Sequence, residues 1–274
     1  MLRRTKISFI GSGNMAEAMI KGLLNKDLVE ASNLMVSDPL TNRLQDLKQR
    51  YRLKTTTDNR LAAQAGDIVV LSIKPQVLPH VLPELDGTVK DKSFVLSIMA
   101  GVPIRQISEG LHHHQIVRVM PNTPAMIGQG MSVWTTTLEV SEPQRKQAQL
   151  ILQTLGEEVE VQDEDHIDMA TALNGSGPAY VFVFMEALID AGVHIGFSRP
   201  VAQKIVLQTL QGSVALAKQS MTHPAELRNM VTSPAGTTAE ALYQLEKGSI
   251  RTTLSKAVWA AYQKSKHLGG LNSQ

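Results

Sequence analysis

The segment that most narrows what this chain can fold into is Phe9-Ile10-Gly11-Ser12-Gly13-Asn14-Met15-Ala16. Its G-x-G-x-x-A spacing closes the short apolar run Ile7–Ile10 and opens an amphipathic stretch. Such a spacing describes a strand, a tight turn and a helix packed close to the strand. Gly11 makes the turn, Gly13 leaves the backbone bare where a pyrophosphate would approach, and Ala16 lets the helix lie near the sheet. The first-turn N–H groups of that helix then face the phosphates, with Ile10, Ser12, Asn14 and Met15 around them. A close-packed turn without a ligand is the plainer account of two glycines. The motif's position at the first strand of an alternating pattern favours dinucleotide binding.

That alternation runs from Lys6 to about Val161. Ile7–Ile10, Leu34–Ser37 and residues 68–73, 94–98 and 116–120 are short runs rich in β-branched residues, as expected of strands buried on both faces. Between them, residues 14–24, 41–50, 59–65, 76–85 and 103–111 carry the helical period, with Asp58 as an N-cap. Ser141-Glu142-Pro143-Gln144 combines a capping box with an early proline and predicts a long helix reaching Leu155. The fold expected from this pattern is an α/β, Rossmann-type doubly wound sheet.

After Asp163 the β-type runs cease, and residues 166–173, 178–195, 200–219, 224–230, 237–247 and 251–268 read as helices. The expected organisation is a dinucleotide-binding domain over residues 1–162 and an all-helical domain over 163–274. So many Ala, Leu, Ile, Val and Met positions in the helical part predict a face buried against a second copy of the chain, giving at least a dimer.

Composition excludes several classes. The 274 residues carry a net charge of +2, and their Lys and Arg are scattered among acids instead of clustered with aromatics, which argues against a nucleic-acid partner. The absence of cysteine removes disulfides, thiolate nucleophiles and Cys-ligated metals. The basic start, Met1-Leu2-Arg3-Arg4-Thr5-Lys6, is followed by an apolar run that stops at Gly11, too short for a signal peptide. The apolar stretch over 180–189 contains Glu186 and is too short to span a bilayer, so a cytoplasmic protein without membrane contact is expected. Adjacent His112, His113 and His114 lack a second ligand set and read as an exposed loop, with no metal expected. Met99, Met120, Met126 and Met131 read as packing residues, and Trp134, Trp259 and Tyr262 as core or interface.

Four further segments fall where ligands bind such a sheet, or where an anion could rest. Ser37-Asp38 ends the second run about twenty residues past the fingerprint, where an acid binds the ribose diol of NADH. Asp38 could equally start the next helix ahead of Pro39, and Ser37, Thr41 and Arg43 could turn toward a 2′-phosphate, so NADH against NADPH stays open. Ser72-Ile73-Lys74-Pro75 leaves a strand at its C-terminal edge, with Lys74 directed to phosphates or simply to solvent. Met120-Pro121-Asn122-Thr123-Pro124-Ala125 is a proline-stiffened loop, and Asn122 suits a carboxamide. Near the C-terminus, Met230-Val231-Thr232-Ser233-Pro234-Ala235-Gly236-Thr237-Thr238 gathers small hydroxyl residues into one turn before a helix. A carboxylate could rest on the backbone of residues 233–237 while the Thr237 and Thr238 hydroxyls address a neighbouring atom. An ordinary N-cap ahead of Glu240 is the alternative.

Together these segments resemble one family, the pyrroline-5-carboxylate reductases, which make L-proline by reducing a cyclic imine. The resemblance covers essentially the whole chain. Phe9-Ile10-Gly11-Ser12-Gly13-Asn14-Met15 is similar to the family's opening, Ile73-Lys74-Pro75 to its Val-Lys-Pro turn, and Ser97-Ile98-Met99-Ala100-Gly101-Val102 to its mid-chain strand end. Met120-Pro121-Asn122-Thr123-Pro124 and Gly175-Ser176-Gly177-Pro178-Ala179-Tyr180 match two more of its motifs. Residues 227–238 resemble its signature, Leu-Lys-Asp-x-Val-x-Ser-Pro-Gly-Gly-Thr-Thr, with departures. Arg228 and Asn229 replace Lys-Asp, Ala235 replaces the first Gly, and upstream Asn174 stands where Ser is common. Ala235 permits the tight turn unless that position needs φ > 0.

The resemblance implies NADPH or NADH as cofactor. Its contacts would be Ile10, Gly11, Ser12, Gly13, Asn14 and Met15 in the turn, Asp38 and Asn59 beside it, and Ser72, Ile73, Lys74, Pro75, Ala100, Gly101 and Asn122 along the sheet edge. It implies that Ser233, Gly236 and Thr237 hold the imino-acid carboxylate and that Thr238 hydrogen-bonds the imine nitrogen. Thr is a poor general acid by pKa, so orientation is the role expected of Thr238. Glu164 would bind substrate or a relay water, or else is a solvated acid in the acidic stretch 157–165. Ser176 caps its helix, faces the substrate, or both. The implied partners are the imino acid and a second copy of the chain.

Two rivals remain. A β-hydroxyacid dehydrogenase shares the fingerprint and a helical second domain but uses a lysine in that domain's first long helix, and no lysine occurs here between Lys146 and Lys204. A non-catalytic NAD(P)-sensing protein would have no need of the 233–238 turn.

Overall fold

A computed structural model of the chain describes residues 2–271. Among them, eight strands form one sheet: β1 (Ile7–Ile10), β2 (Leu34–Ser37), β3 (Lys54–Thr56), β4 (Ile68–Leu71), β5 (Phe94–Ser97), β6 (Ile116–Met120), β7 (Gly130–Thr136) and β8 (Gly156–Glu160), in the order β3-β2-β1-β4-β5-β6-β7-β8. Strands β1 to β6 are mutually parallel; β7 runs antiparallel to β6, and β8 pairs parallel with β7. Every residue of β1, β4, β5 and β6 is buried, because helices cover both faces of a parallel sheet. The strand order reverses between β1 and β4, and the turns leaving these two strands meet at that switch point, where α/β sheets bind ligands.

Helices α1 (Asn14–Asn25), α2 (Thr41–Tyr51), α3 (Asn59–Ala65), α4 (Leu78–Leu85), α5 (Ile104–Leu111) and α6 (Glu142–Leu152) fall where the sequence period predicts them. Asp58 caps α3 by accepting the Arg60 and Leu61 N–H groups at 2.8 and 3.4 Å. The Ser141/Gln144 capping box opens α6, with Ser141 N donating to Gln144 Oε1 at 2.8 Å. Helix α6 stops at Leu152, short of the expected Leu155. There Thr154 Oγ1 turns back to the Ile151 carbonyl at 2.6 Å, and Gly156, at φ +142°, leads the chain into β8.

Strands β3, β7 and β8 carry no apolar run and are absent from the sequence expectation. β3 has three residues, and β8 reads Gly-Glu-Glu-Val-Glu, the charged composition that protects a sheet edge from pairing with another chain.

The remaining helices are α7 (Asp165–Ala170), α8 (Gly177–His194), α9 (Arg199–Ser220), α10 (Pro224–Met230), α11 (Thr237–Lys247) and α12 (Ile250–Leu271). A π-helical turn, Thr171–Gly175, joins α7 to α8, with Ser176 N donating to Thr171 O at 2.9 Å. Composition changes near residue 162, but packing divides the chain elsewhere. One compact unit holds the sheet with everything up to Pro178 and takes back α12 from Ala260 onward; the other is Ala179–Trp259. The physical reason is visible in the first unit. Ile167, Ala170 and Ala172 are buried, and Ser265 Oγ in α12 donates to Asp168 Oδ1 at 2.7 Å.

Within the second unit, α8 and α9 approach so closely that a Cβ on Gly192 would lie 3.0 Å from Ala202 Cβ. Ala202 and Val206 are its buried apolar residues, while Val181, Phe182, Val183, Phe184, Val214 and Leu216 are exposed. The continuous run Asp165–His194 is long and apolar enough by length and composition to cross a bilayer, which corrects the shorter span read from sequence.

Candidate active site

The turn after β1 is fixed from both sides. Gly11 takes φ +99°, a value that L side chains rarely adopt, and a Cβ there would lie 2.7 Å from the Ser72 carbonyl and 2.9 Å from Ile73 Cγ2. Ser72 Oγ donates to the Gly11 carbonyl at 2.8 Å and to that of Ile10 at 3.1 Å, lacing the β1 and β4 exits together. Gly13 is different. It is exposed, and the nearest atom to a Cβ built on it is 4.0 Å away, so no packing among the described residues demands a glycine. It serves as N-cap of α1 without a side-chain cap, leaving first-turn N–H groups open. Bare backbone ahead of an open helix N-terminus fits a pyrophosphate.

Asp38, just past β2, turns back onto this loop. Its Oδ2 accepts Ser12 N at 2.9 Å and Ser12 Oγ at 2.6 Å, and its Oδ1 accepts Leu40 N at 2.9 Å. Arg43 in α2 donates through Nε to the Ser12 carbonyl at 3.1 Å and pairs with Glu17 of α1 and with Asp46. Arg50 pairs with the same two acids, and Tyr51 Oη donates to Glu17 at 2.8 Å. Burial alone would raise the Glu17 pKa, but hydrogen bonds from Arg50, Arg43 and Tyr51 outweigh it and bring it down to about 2. Ser37 Oγ donates to Asn59 Oδ1 at 2.7 Å, and Asn59 Nδ2 donates to Glu84 at 2.8 Å. Lys74 is exposed beside Pro75, which opens a 3-10 turn.

Two expected contacts have structural work of their own. Asn122 donates to Asn174 Oδ1 at 2.8 Å and accepts Met131 N at 2.9 Å, while Asn174 Nδ2 donates to the Met120 and Met131 carbonyls at 2.9 and 3.0 Å. The asparagine pair braces the loop after β6 against the π-turn, with the Asn122 amide both donating and accepting within it. It also accounts for Asn174 at a position where Ser is common in the resembled family. Gly101, at φ +66°, faces α12: a Cβ there would lie 2.9 Å from Leu268 Cβ and 3.2 Å from the Ser265 carbonyl. Ala100 precedes it, half-buried.

Arg118 escaped the sequence reading. It lies in the middle of β6, only 2% exposed, with Nη1 donating to Glu164 Oε1 at 2.7 Å and Nη2 to Asp168 Oδ1 at 3.1 Å. Glu164 Oε1 also accepts Ile104 N at 2.7 Å, so this acid holds the start of α5 as well as Arg118. It is not simply a solvated residue of an acidic stretch. A charge inside the buried run Ile-Val-Arg-Val-Met was the available signal, since a buried guanidinium needs partners.

In the helical unit, residues 233–236 form a turn closed by Gly236 N donating to Ser233 O at 3.1 Å. Pro234 sets its second position, and Ala235 takes φ +56° at its third, the condition under which alanine is strained. A Cβ on Gly236 would collide with Ser233 Oγ. Gly236 is the N-cap of α11 without a side-chain cap, leaving the first turn, with Thr237 and Thr238, open to an acceptor. Ser233 and Thr237 are exposed, and Thr238 is half-buried; Ser176 is half-buried between the π-turn and α8.

The histidine run divides among three partners: His112 faces Asp86 at 2.8 Å, His113 the Ser93 carbonyl at 2.9 Å, and His114 Ser108 Oγ at 3.0 Å. His113 is buried, unlike the exposed loop expected, and its burial lowers its pKa.

Comparison with known proteins bears on all of this. Residues 164–268 match a family model described as pyrroline-5-carboxylate reductase dimerisation, and residues 6–101 one described as NADP oxidoreductase coenzyme F420-dependent. Pyrroline-5-carboxylate reductase of Synechocystis sp. is 39% identical over 264 residues, covering 96% of this chain and 98% of the relative. The Escherichia coli protein of that name is 35% identical at the same coverage. A crystal structure of Plasmodium falciparum pyrroline carboxylate reductase with NADP bound superposes with a TM-score of 0.90 at 35% identity, covering 98% of this chain and all of that one. By its near-full-length identity to such relatives, the chain belongs to the pyrroline-5-carboxylate reductase family.

Proposed function

We infer that this chain catalyses the NAD(P)H-dependent reduction of 1-pyrroline-5-carboxylate to L-proline. The observation that carries the reading is the near-full-length relation to reductases of that name. The glycine turn, which the chain's own packing needs at Gly11 but not at Gly13, supports it. A bound nicotinamide dinucleotide supplies the hydride. The chain's task is to hold the carboxylate, orient the imine and keep its nitrogen hydrogen-bonded, because a protonated imine is already electrophilic. The uncapped first turn of α11 leaves backbone N–H groups beside Ser233, Gly236 and Thr237 able to donate to the carboxylate, and the Thr238 hydroxyl orients the nitrogen. Glu164 and Ser176 complete the substrate set in this reading, with Ile10 to Met15, Asp38, Asn59, Ser72 to Pro75, Ala100, Gly101 and Asn122 forming the cofactor's.

On this reading, residues 1–162 serve the dinucleotide and 163–274 the substrate and the dimer. The exposed apolar helical face, within the stretch that matches a dimerisation model, is covered by a second copy and not by a membrane or a nucleic acid. The reaction is assigned to the cytoplasm.

The test is oxidation of NADH or NADPH on adding 1-pyrroline-5-carboxylate. Thr238→Ala is expected to lower kcat/KM about tenfold to a hundredfold, the worth of a hydrogen bond to a charged group, while dinucleotide affinity stays unchanged. Full turnover by that variant would remove Thr238 from the mechanism, and absence of any turnover by the natural chain would remove the function.

A further inference from the structure

We propose that this chain discriminates against the adenosine 2′-phosphate, taking NADH in preference to NADPH, because Asp38 presents a carboxylate at the ribose position and Arg43 is already committed to Ser12, Glu17 and Asp46. The inference rests on the dinucleotide reading above and deepens it. In doubly wound folds, an acid at the end of the second strand accepts from the ribose 2′-hydroxyl, and a nearby arginine answers a 2′-phosphate.

Both residue types are here, so their surroundings decide. Three hydrogen bonds, from Ser12 N, Ser12 Oγ and Leu40 N, pin the Asp38 carboxylate. A carboxylate offers about four acceptor positions, which leaves Asp38 capacity for one more donor. A ribose hydroxyl can supply that donor; a phosphate dianion supplies none and meets a fixed like charge. Accepting Leu40 N, the residue before Thr41, also puts this carboxylate's charge beside the positive end of α2, where a phosphate would have to compete with it.

Arg43 cannot readily compensate. All three of its nitrogens are engaged, and Glu17 and Asp46 are each shared with Arg50. The low pKa of Glu17, held near 2 by those guanidiniums, keeps it charged through the working range, so Arg43 would have to leave an ionised partner to reach a phosphate. Three carboxylates, Asp38, Glu17 and Asp46, outnumber the two guanidiniums of this cluster. The neighbouring polar groups are committed or neutral. Ser37 donates to Asn59, Asn59 donates to Glu84, and Thr41 is an exposed, uncharged hydroxyl.

The test is equilibrium binding of NADH and of NADPH to the full-length protein without substrate, by calorimetry, at low and at high salt. NADH is expected to bind at least about tenfold more tightly, with the ratio shrinking as salt screens the repulsion. Asp38→Asn keeps an acceptor for Ser12 and removes the charge; it should narrow the ratio by about tenfold. Glu17→Gln, which releases Arg43, should strengthen NADPH binding and leave NADH unchanged. Thermal melting of both variants checks that they are folded. Tighter or equal binding of NADPH by the natural chain, or a ratio unmoved by both folded variants, overturns the proposal while leaving the dinucleotide reading intact. Failure of both dinucleotides to bind overturns this proposal and the dinucleotide reading together.

Discussion

Two turns in this chain leave a helix N-terminus without a side-chain cap, and they differ in which residue takes the left-handed conformation. After β1 it is Gly11, walled by the Ser72 carbonyl and Ile73; before α11 it is Ala235, exposed and held locally by the Gly236-to-Ser233 hydrogen bond. The first turn is over-determined by a buried sheet, and only glycine satisfies it. The second sits on a helical surface with few neighbours, so a methyl group is tolerated at the cost of strain. An anion site in a sheet crevice is specified by packing. One at an exposed helix end is specified by its own few residues and admits sequence drift.

The largest test of that contrast is Gly11→Ala. The added methyl meets backbone at 2.7 Å with φ at +99°, so neither a rotamer change nor a small shift relieves it. We expect a loss of about 2–4 kcal/mol in stability together with dinucleotide binding, read by denaturant melts and calorimetry. A variant that melts like the natural chain would show that the sheet does not fix this turn.

Gly236→Ala should cost less. Its φ of −82° suits any residue, and the obstacle is chiefly the Ser233 side chain, which can rotate away. About 1 kcal/mol of stability is expected to go, with a raised KM for the imino acid because Ser233 is displaced. An unchanged KM would mean that Ser233 does not shape the substrate turn.

The ion cluster beside the first turn adds a pH dependence. Because the Glu17 pKa is lowered from 4.5 to about 2 in the folded chain, its contribution is present above 4.5 and is lost as pH falls toward 2. Acid should therefore loosen α2 from α1. Glu17→Gln should flatten that limb of the stability curve, and an identical acid limb in the variant would deny the cluster any part in holding α2 against α1.

The same contrast explains what the sequence disclosed. Fully buried strands such as Ile-Val-Val-Leu in β4 declare themselves by composition, and caps such as Asp58 and Ser141 by local chemistry. β3 and β8 lie at the sheet's edges and need no apolar run, so their pairing follows from neighbours distant in the chain. Arg118 and its acids stand 46 and 50 residues apart, a separation that no local pattern encodes. Asn122 has the chemistry that suits a carboxamide, but its bond to Asn174, 52 residues on, follows from no local pattern. The fingerprint could be read because its function is local backbone geometry; Ala235 could be read only conditionally, since φ is not written in a side chain.

Ala235→Gly is the smallest effect and the sharpest probe of the second turn. A non-glycine residue in the left-handed region costs about 1–2 kcal/mol, and glycine returns about 0.4–1 kcal/mol of that as unfolded-state entropy. The substitution should thus stabilise the chain by about 0.5–1 kcal/mol, raising Tm by about 2 °C. If the turn merely tolerates its alanine, kcat/KM stays the same while Tm rises. If strain at Ala235 instead holds the first N–H groups of α11 in their binding geometry, relief of the strain loosens them, and KM for the imino acid rises as stability improves. The two outcomes separate a drifted residue from a functional one, because strain retained for binding trades stability against affinity and strain left by drift does not.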